Sequence, residues 1–486
     1  MSTPTLPLLE LSEEELDLLQ FLQAELTVAV PFLQLYDAYY RGEQLIRDLG
    51  ISIPPQLRGL RTVVGWPGIA VDRVEERLDI EGFRFADAAS ADSGLADIWT
   101  ANMLDMESQL AHLDALIYGH SYVVGGTADE PDGMPIITVE SPTQVTVLYD
   151  ARLRMIVAAL RMYDMDNTPD TPPTEIERAA TLYLPNQTIS LMEGGLGAGG
   201  WEVVDRDEHN LGVVPVFRLS NRQRTADRRG SSDITAPIMS ITDAACRRLM
   251  GIEVAAEFFG APQRYILGAA EEAFQAPDGT PKTAWQTYIG RILALERDEE
   301  GNTPEVGQFA AHDPSSQTAI VDMYARIMSA HTGLSPQYFG YSTDNPASAD
   351  AIRANDASLV KKAERRQHYF GAVWSRVMRL ALWLRDGTPP DPGKRIETVW
   401  RNAATPTVAA QTDAAVKLVQ AGILPPESDV VLDMVGLSHG QRRRVVAERR
   451  RANGREMVRN LTQTIPQRPQ PERQPVEANA PGEAVQ

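Results

Sequence analysis

Cysteine is almost missing from this chain: one residue, Cys246, among 486. A single thiol excludes an intrachain disulfide framework and any site built from several cysteine ligands. It suits a reducing compartment, and its plain reading is a small buried apolar residue. Positive charge is also short, with 46 Lys and Arg against 66 Asp and Glu and a net charge of -20. Such a surface is not built to grip phosphates over a wide area, although it permits contact with nucleic acid by means other than attraction. The start, MSTPTLPLLELSEEELDLL, has no basic region ahead of an apolar core and does not read as a secretory signal. No run approaches the roughly 18 apolar residues of a spanning helix. The expectation is a soluble chain with no membrane partner.

Catalytic motifs are missing as well. GLGAGG, Gly195 to Gly200, formally satisfies G-x-G-x-x-G, but it leads into WEVVDRD, which reads as strand, whereas a dinucleotide site needs a helix there. A hairpin turn is expected instead. The nearest approach to a P-loop, Gly387 to Lys394, has five residues between its glycines and Arg395 where a hydroxyl is required. The histidines, His112, His120, His209, His312, His331, His368 and His439, show no pair at metal-ligand spacing. YGHSYVVGG from Tyr118 places Ser121 beside His120, but it is no nucleophile elbow because Val123 follows Tyr122. The acidic run Asp298, Glu299 and Glu300 sits in an apparent turn and reads as a solvated face rather than a metal site. No catalytic, cofactor-binding or metal-binding residue is assigned, and no cofactor is expected.

What is present is globular: 43% hydrophobic and 23% charged residues, over a length that suits two to four domains or one elaborated body. Ser12 and Glu15 form a capping box ahead of Leu16, Leu19, Leu22 and Leu26, which predicts an opening helix. A second helix is expected from Pro31 to a stop at Gly50, and a third between Gly65 and Phe85, carrying Val71, Val74 and Leu78 and followed by a short strand. Trp99 to Tyr118 reads as one long helix with Met103, Met106, Leu110, Leu113 and Ile117 as its core stripe, ended by Gly119. From Ser121 to Leu219 the period changes to two. SYVVGG, PIITVE, QVTVLYD, MIVAALRMYD, ATLYLPN, TISLM and WEVVD are short β-rich runs between Gly, Pro and Asp turns, which predicts an antiparallel sheet.

A helix capped by Ser232 or Asp233 follows, running through Ile238, Ile241, Ala245, Leu249, Ile252 and Ala256. APQRYILG and GRILALERDEEGNTPEVGQF suggest a compact β-containing insertion turning at Glu300, Gly301 and Asn302. Ser315 to His331 is expected to be helical, with Ile320, Met323, Tyr324 and Ile327 on one face. Then comes FGYSTDNPASADAIRA, Phe339 to Ala354. Pro346 pushes Asn345 out of the helical region, and Ser348 or Asp350 can cap the long helix beyond, which carries Phe370, Val373, Val377, Leu380 and Leu384. GTPPDPGK from Gly387 reads as a linker and Thr405 to Leu461 as helical. That last piece ends in QRRRVVAERRRANGREMVRN, whose eight arginines face only Glu448 and Glu456; it is either a solvated helix face or a contact with packed DNA or an acidic neighbouring subunit.

The order of these elements resembles that of the portal proteins of tailed bacteriophages, in particular the siphophage-type group. The stretches that carry the resemblance are WPGIAVDRVEERLDIEGFRF from Trp66, NMLDMESQLAHLDALIYGHSYVV from Asn102 and ESPTQVTVLYD from Glu140, then NLGVVPVFRLSNR from Asn210, GSSDI from Gly230 and SADAIRANDASLVKKAE from Ser348. The resemblance implies an α+β portal fold. It divides into an N-terminal arm (1–24), a β-rich wing (25–230), a first stem helix (231–260), a small α/β clip (261–313) and a second stem helix (314–334). A tunnel loop with a long helix returning to the wing (335–390), an α-helical crown (391–462) and a disordered Pro-rich tail (463–486) complete it.

The resemblance further implies no enzyme but a ring, typically of twelve copies, at one capsid vertex, through which double-stranded DNA is packaged and ejected. Its partners would be further copies of itself, the terminase large subunit, the major capsid and scaffold proteins, and the head-tail connector or adaptor; its place would be the virion, and the host cytoplasm during assembly. Carried onto this chain, tunnel-loop candidates are Tyr341, Ser342, Thr343, Asp344, Asn345 and Ser348. Clip candidates are Arg297, Asp298, Glu299, Glu300 and Asn302, and the crown basic cluster is Arg442, Arg443, Arg444, Arg449, Arg450 and Arg451. An ordinary surface loop capping a helix is the competing reading of the tunnel-loop stretch. For the whole chain the competing readings are another virion head or adaptor protein and a metal-dependent nucleic-acid-processing enzyme.

Overall fold

The computed structural model describes residues 10–45, 62–86, 93–127, 133–165, 178–194, 200–259, 264–267, 305–308, 315–341, 349–404, 408–426, 428–437 and 439–463. The chain forms two units, Met1–Thr405 and Pro406–Gln486.

The first unit opens with α1, Glu13–Arg41, whose N-cap Ser12 and Glu15 form the expected capping box. Two helices were expected here and one is found. Pro31 lies inside α1 on its exposed side, so the Thr27 carbonyl, deprived of its helical donor, is left facing water rather than protein. The stop is Gly42, at φ 71°, not Gly50. By length and composition α1 could cross a membrane. In the fold one side of it packs on the protein, with Leu19 and Leu22 fully buried against Leu160, Leu182, Ile189 and Trp201 of a five-stranded sheet, while Phe21, Val28, Phe32 and Leu35 are exposed. Glu15 then pins the helix start by pairing with Arg206 at 2.7 Å, and that guanidinium holds its carboxyl down at about 2.

α2 (Trp66–Glu75) and β1 (Ile80–Phe85) follow as the apolar spacing predicts, with Val71, Val74 and Leu78 buried. The next helix differs from expectation. It is broken into α3 (Ser93–Ala101) and α4 (Leu104–Tyr118) by Met103, which sits at φ 50°. Asn102 fixes the break by donating to the Ile98 and Pro135 carbonyls and accepting from the Ile137 N–H. The break also rotates the stripe. Of the expected stripe Ile117 is buried and Leu113 packs against the core, but Met103, Met106 and Leu110 are exposed, and Leu104, Ala111, His112, Ala115 and Leu116 complete the buried face.

The β-rich region is antiparallel throughout, as its alternation predicts, but it forms two sheets rather than one. β2 (His120–Gly126) is central to a three-stranded sheet, between β3 (Ile136–Glu140) and β9 (Val216–Ser220). β4 (Val145–Asp150), β5 (Met155–Asp164), β6 (Arg178–Tyr183), β7 (Thr188–Glu193) and β8 (Trp201–Asp207) pair in chain order. β7 and β8 pair up to Glu193↔Trp201, with the Gly194 N–H on the Gly200 carbonyl, so the two strands form the expected hairpin; residues 195–199 of GLGAGG lie outside the described residues.

α5 (Ala236–Phe259) packs on α6 (Ser315–Thr332), and β10 (Arg264–Leu267) pairs antiparallel with β11 (Glu305–Gln308). The face of α6 also departs from expectation. Met323 and Ile327 are exposed, while Ala325, Met328 and Thr332 are buried. A 3-10 turn, Pro336–Phe339, precedes α7 (Ala349–Asp386), whose Phe370, Trp374, Val377 and Met378 fill the main core beside Trp99 and His112. Beyond the 387–395 connection, β12 (Ile396–Trp400) returns to pair with β1. The second unit is helical, with α8 (Val408–Gln420), α9 (Asp429–Met434) and α10 (His439–Gln463). Ala415, Val431 and Leu432 are its buried side chains among the described residues.

Candidate functional site

The chain between α6 and α7 is anchored at both of its described ends. Leaving α6, Gly333 N–H bonds the Ser329 carbonyl and the Lys362 ammonium the Thr332 carbonyl, which satisfies groups a helix end leaves without partners, and the Ser329 hydroxyl donates to the Leu334 carbonyl beyond it. Phe339 is buried edge-on to Trp66, with ring centroids 6.0 Å apart. The Tyr338 hydroxyl donates to Asp356, which also receives Arg77 at 3.4 Å. Tyr341 folds back on α6: Arg326 donates to its hydroxyl at 2.7 Å and lies 4.5 Å over its ring. Of the tunnel-loop candidates Tyr341 is therefore held in place. Ser342, Thr343, Asp344, Asn345 and Ser348 lie outside the described residues. Asp350 is the second residue of α7 and not its N-cap.

Behind this joint lies a network that the motif reading missed. Helix α4 ends at Gly119, φ 93°, and its last carbonyls need donors. The loop 221–233 supplies them. Asp233 N–H bonds the Leu116 carbonyl, the Ser232 hydroxyl donates to the Ile117 carbonyl, and Asn221 N–H bonds the Gly119 carbonyl. That is why GSSDI needs its glycine. Gly230, at φ 102°, is so close that a Cβ there would collide with the carbonyl oxygens of Gly119 and Asn221.

Ser232 and Asp233 thus serve α4 and not, as expected, the N-terminus of α5. The Asp233 carboxylate turns inward and receives both Arg366 contacts at 2.8 Å and Asn221 Nδ2 at 3.0 Å. Asp233 and Arg366 are both buried, at 8% and 7% exposure. A buried ion pair needs such additional hydrogen bonds to hold its charges out of water. Arg222 approaches the same carboxylate at 3.8 Å. The signal available in the sequence was an arginine among the apolar positions of α7, at the turn just before Phe370.

His112 is a second missed residue. It accepts from Trp374 Nε1 at 2.9 Å and stacks on Phe370 at 5.2 Å. Burial holds its imidazole neutral, down at about 3, against a weaker opposing backbone bond to Leu78. Cys246 is buried, as its plain reading has it, and burial pushes its thiol up. Among the described residues no group of three His, Cys, Asp or Glu side chains is placed to hold a metal ion.

The clip candidates Arg297, Asp298, Glu299, Glu300 and Asn302 lie outside the described residues. The crown cluster lies along α10, where spacings of seven set Arg442 under Arg449, Arg443 under Arg450 and Arg444 under Arg451. The six are spread round more than half of the helix circumference rather than gathered on one face. Arg444, Arg450 and Arg451 are exposed, and Arg442 is half-buried with its Nε donating to the Leu437 carbonyl.

The family described as "Phage portal protein, SPP1 Gp6-like" matches residues 19–429. The chain is 41% identical over 404 residues to the portal protein of Mycobacterium phage D29, covering 80% of each chain. It is 40% identical over 404 residues to that of Mycobacterium phage L5, covering 80% of this chain and 79% of the relative. Among solved structures it is similar to a chain of the "Neck of native GTA particle computed with C12 symmetry", with a TM-score of 0.41 and 14% identity over 79% of this chain and 94% of that one. With the family matched over most of its length and relatives at about 40% identity, the chain belongs to the phage portal protein family, SPP1 Gp6-like.

Proposed function

We propose that this chain assembles with further copies of itself, twelve in number, into a ring at one vertex of the capsid, the channel for DNA packaging and ejection. The ring docks the terminase large subunit during packaging and the head-tail connector afterwards, and meets the major capsid and scaffold proteins as the head assembles in the host cytoplasm. It carries out no catalysis. The observation that carries this reading is membership of the portal family, structural components of the phage head, across residues 19–429.

Two exposed apolar faces support self-association. Phe21, Val28, Phe32 and Leu35 follow one another along α1, and Met103, Met106 and Leu110 along the break and α4. Exposed apolar rows of this kind mark protein contacts more often than free surface.

In this reading α5 and α6 form the stem and the β10–β11 pair belongs to the clip; the wing, expected over 25–230, begins at 13 because α1 runs unbroken through position 24, and the crown, expected over 391–462, begins at 406 because β12 pairs with β1 in the first unit. The tunnel loop is 335–348. From Phe339 to Ile352 the sequence holds no Lys or Arg, which suits a surface over which a duplex slides, because each neutralised phosphate deepens a trap.

Electron microscopy of the purified chain with native mass determination tests the ring. Closed rings with an axial hole wide enough for duplex DNA are expected; failure to close even with capsid and scaffold components refutes it. For the loop, Asp344→Lys with Asn345→Lys is expected to hinder packaging in rings that still assemble, and unchanged packaging refutes the assignment.

A further inference from the structure

On an acidic chain, one cavity is strongly basic. It holds about 750 Å3 between the loop after β9, the end of α6 and the middle of α7. Arg222 enters from the loop; Lys361, Lys362, Arg365 and Arg366 come from α7. Against these five cations stand Asp233, taken by Arg366 and approached by Arg222, and Glu364, paired with Lys361 at 2.9 Å. Three positive charges remain uncompensated among the described residues, where the chain as a whole carries -20.

Two of the cations are withdrawn from water. Arg366 is 7% exposed and its Nε has no hydrogen-bond partner among the described residues. The Lys362 ammonium is turned inward onto the Thr332 carbonyl. Burial, then the positive charges of Arg366 and Arg222, pull its pKa down, with only Asp233 opposing them. Arg365 is exposed at the mouth, with no ion pair among the described residues. Like charges confined in a space partly withdrawn from water repel, and an anion placed among them relieves that repulsion in a medium where each interaction is stronger than in bulk water.

We infer that this cavity binds a phosphate group, through Arg222, Lys361, Lys362 and Arg365, with the Asp233–Arg366 pair as its rear wall. The donor arrangement favours phosphate over carboxylate. A carboxylate carries one charge and is satisfied by one guanidinium, as both oxygens of Asp233 are by Nη2 of Arg366. The remaining cations come from two different elements, the loop after β9 and α7, and several positive charges lining one cavity suit a multiply charged phosphate better than a singly charged carboxylate. The volume exceeds one phosphate and leaves room for what the group is attached to, either a nucleic-acid backbone or a small polyphosphate. The inference does not depend on ring formation.

The test is calorimetric titration of the full chain with sodium phosphate at fixed ionic strength in chloride. Wild type is expected to bind saturably. Lys361→Gln with Arg365→Gln alters two exposed side chains, leaves the buried pair intact, and is expected to weaken binding about tenfold. Arg84→Gln with Arg178→Gln removes the same charge outside the cavity and is expected to leave affinity unchanged. No saturable binding in wild type, equal affinity in the cavity variant, or an equal loss in the outside variant overturns the site. Competition then identifies the source: displacement of phosphate by a 20-base-pair duplex upholds the site as one for a nucleic-acid backbone, and displacement by tripolyphosphate alone upholds it for a small phosphate ligand.

Discussion

Removing Asp233 should harm this fold more than removing its partner, and the surroundings say why. In Asp233→Ala, Arg366 stays buried with Lys362 and Arg222 as neighbours and no other carboxylate in reach among the described residues. Stripping one partner from a buried ion pair costs about 3–5 kcal/mol, and here the upper end applies. In Arg366→Met the abandoned carboxylate keeps Asn221 at 3.0 Å and Arg222 at 3.8 Å, and Lys362 also favours its charge. The lower end, about 3 kcal/mol, applies.

For a unit of 405 residues, unfolding entropy of roughly 2.1 cal/mol/K per residue makes about 4 kcal/mol a fall of about 5 °C in Tm. Chemical denaturation of both single variants and of Asp233→Ala/Arg366→Met closes a double-mutant cycle. The double variant is expected to lose about 2 kcal/mol or more less than the sum of the singles. If Asp233→Ala costs under about 1 kcal/mol, or less than Arg366→Met, the reasoning from unpaired buried charge fails.

Three further outcomes follow from the same structure. Gly230→Ala must either move the Gly119 and Asn221 carbonyls or abandon φ 102°, and is expected to lose at least about 3 kcal/mol by denaturation, whereas Gly212→Ala, at φ 69° with open space around it, should lose only about 1 kcal/mol. His112 is held neutral down to about 3 in the fold but takes a proton near 6.5 when unfolded. Its contribution is therefore complete above pH 6.5 and drains away as pH falls; between pH 7 and 4.5 wild type should lose about 2–3 kcal/mol that His112→Gln does not, and equal pH slopes would refute this. Glu75 has the opposite sign. Burial, then Asp79, Asp72 and Glu76, raise it from 4.5 to about 7, so its contribution is present below 4.5 and lost as pH rises through 7. Glu75→Gln should raise stability at pH 8 by about 1 kcal/mol after allowance for solvent screening, with no gain at pH 4.

Local features were legible wherever the cause was local. The Ser12 capping box, the Gly119 stop, the period-two runs and the hairpin at GLGAGG depend on a few adjacent residues, and each appears in the fold as its spacing predicts. Helix faces were less legible. Met103, Met106 and Leu110 carry a perfect apolar spacing, yet the αL turn at Met103 starts α4 afresh and presents Ala111, His112 and Leu116 to the core instead. Pro31 looked like a helix start because nothing local tells whether a proline faces core or solvent.

The sequence by itself determined an acidic globular chain with one thiol and helices flanking a β-rich middle, since composition and periodicity are properties of the chain alone; the resemblance to phage portals came separately, from stretches such as WPGIAVDRVEERLDIEGFRF and their order. Only the tertiary structure decided which charges meet. Asp233 and Arg366 stand 133 positions apart, and His112 and Trp374 stand 262 apart. Whether such groups are solvated or locked together depends on how β9, α4 and α7 pack, because a charge becomes costly or useful only once its neighbours have displaced the water around it.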